Sequence, residues 1–66
     1  MTLFQFRCNL KHLSTKIIIA DAEGHEVFTD TLGTYVHWVK RAYYDDREID
    51  YVTPEDNDML IIYLED

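Results

Sequence analysis

Cys8, His12, His25 and His37 are the side chains in this chain best suited to hold a metal or to run nucleophilic chemistry. Neither chemistry is supported by their spacing. No pair shows the C-x-x-C or H-x-x-x-H interval that brings two ligands onto one turn or one helix face. A thiol nucleophile needs a base within hydrogen-bond reach and a cleft around both, and no motif supplies them. A G-x-S-x-G elbow and a glycine-rich phosphate loop are both absent. The three histidines are expected at the surface, and Cys8 is expected as a small apolar core residue. No catalytic, cofactor-binding or metal-binding residue is expected, and the chain reads as non-enzymatic.

Acid is the next resource. Residues 45–66 hold nine acidic side chains and one basic one, Arg47, for a net charge of −8. Residues 1–44 hold five bases and four acids, a net of +1, so the last third supplies the whole balance of −7. Asp46, Glu48 and Asp50 recur at every second position. On a strand that starts early they would share one face, about 6.6–6.8 Å apart. Glu55, Asp56 and Asp58 crowd the turn that follows. Such acid keeps a small protein soluble and protects an edge strand. It also suits a surface that attracts a basic partner. The candidate partner-binding residues are therefore Asp46, Glu48, Asp50, Glu55, Asp56 and Asp58. Trp38 joins them as an aromatic anchor, although packing at the edge of a helix would explain it equally. Lys40 and Arg41 beside these rings would suit nucleic acid in isolation, but the net charge of −7 opposes direct binding to phosphate.

The elements that must carry these residues are legible from periodicity. Phe4, Phe6 and Cys8 alternate with Gln5, Arg7 and Asn9, which predicts a half-buried N-terminal strand. Residues 15–29 read as an antiparallel hairpin turning at Gly24. Leu32, Tyr35, Val36, Val39 and Tyr43 form one apolar stripe, which predicts a single helix capped by Asp30 or Thr31 and ending near Tyr44. Asp45 and Asp46 would be unfavourable in its last turn. Residues 48–65 read as a second hairpin, with Pro54 ending its first strand and Asn57 in a left-handed turn. The fold class is then α+β, one small domain over residues 1–66. Its order is β-β-β-α-β-β, with a mainly antiparallel sheet and one helix on one face.

Sixty-six residues build a small core, and a single cysteine allows no internal disulfide. The stretches "IIIA" and "MLIIYL" are apolar on both faces. Either the N-terminal segment covers the face that the helix leaves open, or a second copy does. A homodimer is the favoured expectation. No apolar run is long enough to span a bilayer, none resembles a signal peptide, and a cytoplasmic location is the default. Size, acidity and poverty of motifs together resemble small accessory proteins of phages and mobile elements. That likeness of character implies an alternative, a nucleic-acid mimic of the anti-restriction or anti-CRISPR kind. The near-neutral first two-thirds counts against it, so the leading expectation is an interaction module that presents its acidic hairpin to a basic protein.

Overall fold

Gly24 makes the first turn possible. Its φ of +87° lies in the left-handed region that side chains rarely adopt. The Gly24 amide donates to the Asp21 carbonyl at 2.9 Å, and the Asp21 carboxylate accepts from the amides of Glu23 and His25. The turn joins β1 (Lys16–Ala20) to β2 (Glu26–Thr31) as an antiparallel pair with a bulge at Ile19/Ala20. Nothing lies within 4 Å of the Cβ that Gly24→Ala would add. That substitution should therefore cost only backbone strain, about 1 kcal/mol, read as a lower midpoint in urea with an unchanged slope.

The computed structural model describes residues 1–56 and 58–65. Two further strands, β3 (Ile49–Asp56) and β4 (Met59–Leu64), form the second hairpin. The sheet runs β2-β1-β4-β3, with β1 and β4 parallel at its centre and antiparallel hairpins outside them. The two stretches that are apolar on both sides thus take the two interior positions. Pro54 does not end its strand. It lies inside β3 opposite Leu60, which is tolerable because β3 is an edge strand with one unpaired side. The expected left-handed turn at Asn57 falls outside the described residues.

The N-terminus corrects the expected strand. Leu3–Arg7 is a helix, α1, and the sheet has four strands rather than five. Thr2 Oγ1 accepts from the Gln5 amide, and the Gln5 side chain accepts from the Thr2 amide. This reciprocal cap satisfies donors that a helix start leaves free. Leu3, Phe6 and Leu10 then share one face at a spacing of three and four, and all three pack in the core. Phe4 and Cys8, the other members of the apparent alternation, are exposed. Cys8 is consequently a surface thiol and not the core residue expected.

The single helix is also corrected. It divides into α2 (Leu32–Tyr35) and α3 (Arg41–Asp45). Thr31 caps α2 through a hydrogen bond from the Thr34 amide, as one of the two expected caps. Gly33, Thr34, Val36 and Val39 are weak helix formers, and the chain leaves the helix at Val36. Amides of His37, Trp38 and Arg41 bond three residues back, in tight turns. The bend turns Trp38 onto Phe28 and sends Val39, 91% exposed, into solvent. Tyr43, also expected in the core stripe, is exposed.

Leu3, Ile17, Ile19, Leu32, Tyr35, Ile62 and Leu64 form the buried core, with Phe6, Leu10, Phe28, Val36, Trp38 and Tyr44 packed against it. Every helix contributes to this one layer. The N-terminal segment therefore lies on the same side of the sheet as the other helices, and among the described residues no helix packs on the opposite face.

Candidate functional site

Two groups of residues are candidates, one inside the helix layer and one on the sheet. The inner group centres on Asp45, the last residue of α3 and 6% exposed. Arg7, at the end of α1, grips its carboxylate with two parallel bonds, Nε to Oδ1 at 2.8 Å and Nη2 to Oδ2 at 2.9 Å. The Tyr35 hydroxyl, from the end of α2, donates to Oδ1 at 2.9 Å. Arg41 approaches Oδ2 at 3.7 Å from the turn above. Three short helices, each too short to be stable alone, are thus tied through one carboxylate.

Electrostatics follow from this geometry. Burial alone would raise the Asp45 pKa, but hydrogen bonds from Arg7 and Tyr35, with the charges of Arg7 and Arg41, hold it below the ordinary value. Burial, reinforced by the neighbouring carboxylate, pushes the Tyr35 phenol up. The hydrogen bond to Asp45 keeps the Arg7 guanidinium charged. Both carboxylate oxygens are already engaged, and no group here is left as a free base. The depression beside it, about 530 Å³ and lined by Thr2, Phe4, Gln5, Arg41, Ala42, Asp45 and Asp46, lies at the outer edge of this network, in which Arg41 Nε is buried without a hydrogen-bond partner. The arrangement ties the helices together and offers no reacting group.

Sequence reasoning missed Asp45, since Arg7 is 38 positions away and no local pattern links them. It expected Asp45 to disfavour the last turn of a helix. Two guanidinium groups outweigh the unfavourable helix dipole there.

The sequence-predicted acidic residues do not form one patch. β3 begins at Ile49, so Asp46, Glu48 and Asp50 do not alternate along one strand face. Asp46 closes α3, Glu48 forms an isolated bridge to Thr2, and only Asp50 is in the strand. The Glu48 carboxylate meets the Met1 amine at 2.8 Å, with both groups more than half exposed, a pair worth little in water. Glu55 and Asp56 end β3, and Asp58 precedes β4. Six strand positions, about 20 Å, separate Asp50 from Asp56. The acid therefore stands in two groups, at opposite ends of the sheet. Asp21, Glu23 and Glu65 lie near the first group, since the C-terminal ends of β1 and β4 run side by side. Asp46, Asp50, Glu55, Asp56 and Asp58 are all exposed, and none forms an ion pair among the described residues.

Trp38 belongs with the core rather than with these acids. It is half-buried, stacks on Tyr44 at 5.5 Å with an interplanar angle of 3°, and meets Phe28 at 4.9 Å. His12, His25 and His37 are exposed. Among the described residues no three His, Cys, Asp or Glu side chains converge as a metal site, and no helix is long and apolar enough to cross a membrane.

The second group is the uncovered side of the sheet. Ile17 and Ile19 are fully buried in the core, so Lys16 and Ile18 point away from it, while Ala20, which follows the bulge, is itself only 2% exposed. Pairing places Met59, Ile61 and Tyr63 of β4 beside them, followed by Asp56, Thr53 and Tyr51 of β3. On the other flank stand Thr31, Thr29 and Glu26 of β2. A hydrogen bond from Thr29 Oγ1 to the Glu26 carboxylate at 3.0 Å places both on this side. Tyr51 and Tyr63 stack at 4.5 Å. None of Ile18, Met59, Ile61, Tyr63 or Tyr51 packs with the core cluster. The face is thus apolar at its centre, threonine-lined across the middle, and charged at its ends.

Comparisons with protein-family models, with curated proteins and with solved structures find no match to this chain.

Proposed function

We propose that this chain is a non-enzymatic protein-interaction module that works as a homodimer and presents the acid of its β3–β4 hairpin to a basic protein. The supporting observation is the division of charge between the layers. Arg7 and Arg41 are both engaged by Asp45, and the Arg47 guanidinium donates to the Glu65 carbonyl. The Asp45 group carries +1 in total, which leaves −8 of the −7 net charge for the rest of the chain. Much of that charge is exposed on the second hairpin, where Asp50, Glu55, Asp56 and Asp58 form no ion pair among the described residues. A surface of this kind speeds encounter with a cationic partner and disfavours anionic ones. Its division into two groups about 20 Å apart suits two contact points on a protein better than a continuous phosphate track.

The test uses two triple variants. Glu55→Gln, Asp56→Asn and Asp58→Asn neutralise one end, and Asp46→Asn, Glu48→Gln and Asp50→Asn the other. Each nearly preserves shape and relieves repulsion, so stability should hold or rise slightly. Tagged wild type should retain basic proteins from a cell extract at low salt and release them at high salt. At least one triple variant should lose that retention through a slower on-rate. Equal retention by wild type and both variants at every salt concentration would leave the acid with solubility alone.

A further inference from the structure

We infer that the uncovered face of the sheet is closed by a second copy of this chain, packed face to face with its strands antiparallel to the first. The inference rests on the dimeric reading above and specifies the surface and its geometry. Size is the first argument. A stable interface takes about 800 Å² from each partner, roughly a fifth of the 4429 Å² that this chain exposes. One broad face of a body measuring 27 × 24 × 19 Å provides about that share.

Register and charge give the orientation. The face has three cross-strand rows: Thr31-Lys16-Met59-Asp56, then Thr29-Ile18-Ile61-Thr53, then Glu26-Ala20-Tyr63-Tyr51. A two-fold axis lying along the middle row, across the strands, sets Ile18 and Ile61 against their own copies. The first row of one chain then meets the third row of the other. Met59 faces a Tyr63 ring, a favourable sulfur–aromatic contact. Lys16, exposed in the single chain, has its ammonium next to the exposed Glu26 of the other copy. An axis along the strands would instead set the first row on itself and the third row on itself, so that Lys16 and Glu26 no longer meet across the dimer. The contact is isologous, and a two-fold closes it without leaving a free sticky surface.

Sedimentation equilibrium on wild type, Ile61→Lys, Tyr51→Lys and a Lys16/Glu26 charge-swap series tests this, with circular dichroism confirming each fold. Wild type should be dimeric. Ile61→Lys should raise the dissociation constant about 100-fold or more, since it buries one unpaired charge per chain at the centre. Tyr51→Lys, at a position already 53% exposed, weakens the dimer without endangering the fold. Lys16→Glu should weaken it and the double variant Lys16→Glu/Glu26→Lys should restore it. A monomeric wild type would overturn the dimeric reading itself. A dimeric wild type matched by an equally tight folded Ile61→Lys or Tyr51→Lys dimer would overturn this face and leave that reading standing. Failure of the double charge swap to restore association would overturn the antiparallel orientation.

Discussion

Asp45→Ala should lower the stability of the fold by about 3–5 kcal/mol at neutral pH. The carboxylate is buried and accepts from Arg7 twice and from Tyr35 once, with Arg41 beside it. Its removal strands a part-buried guanidinium and a buried phenol, a loss of about 3–5 kcal/mol for breaking a buried pair from one side. A chain of this length has only about 3–10 kcal/mol in total, at the usual stability per residue. Urea unfolding monitored by circular dichroism measures the difference. Asp45→Asn adds a sign test. The folded pKa of Asp45 lies below its ordinary value, so its charge stabilises the fold fully above the unfolded value of about 3.9. That contribution is lost as pH falls through the folded pKa. The gap between wild type and Asp45→Asn should be widest near neutrality and shrink below about pH 4. A gap independent of pH would contradict the role given to the carboxylate charge.

Leu3→Ala should destabilise by about 2–5 kcal/mol, the cost of an apolar cavity, because Leu3 is fully buried in the core cluster. Phe4→Ala should cost less than about 1 kcal/mol, since Phe4 is exposed and its main contact is the Arg7 guanidinium 4.9 Å above the ring. The expected N-terminal strand would reverse this ranking, with Phe4 inside and Leu3 outside. Equilibrium unfolding of the two variants therefore reports which face of the N-terminal segment is buried. It also tests the placement that leaves the other side of the sheet bare.

The hairpins were legible because their signals are local. A glycine at the turn and β-branched runs on both sides specify pairing over a few residues. The N-terminal helix carried a local signal as well, the Thr2-x-x-Gln5 cap with Leu3, Phe6 and Leu10 at helical spacing. The alternation of Phe4, Phe6 and Cys8 competed with it over too short a window for periodicity to decide. The break between α2 and α3 reflects packing. The apolar stripe continues through Val39, yet the chain bends after Val36 and sets Trp38 against Phe28 and Tyr44. Asp45 could not be found by pattern, because its meaning depends on Arg7 and Tyr35 reaching it from other elements. Asp46, Glu48, Asp50, Glu55, Asp56 and Asp58 are exposed, and the start of β3 at Ile49, which periodicity did not give, decides which of them share a face.

The face-to-face dimer is tested most directly by isotope-filtered nuclear Overhauser spectroscopy on an equal mixture of labelled and unlabelled chains. Cross-peaks between chains should run from the Ile61 methyls of one copy to those of the other, and from the Met59 methyl to the Tyr63 ring. Cross-peaks confined within single chains, together with the tumbling rate of a 7.9 kDa particle, would contradict the account.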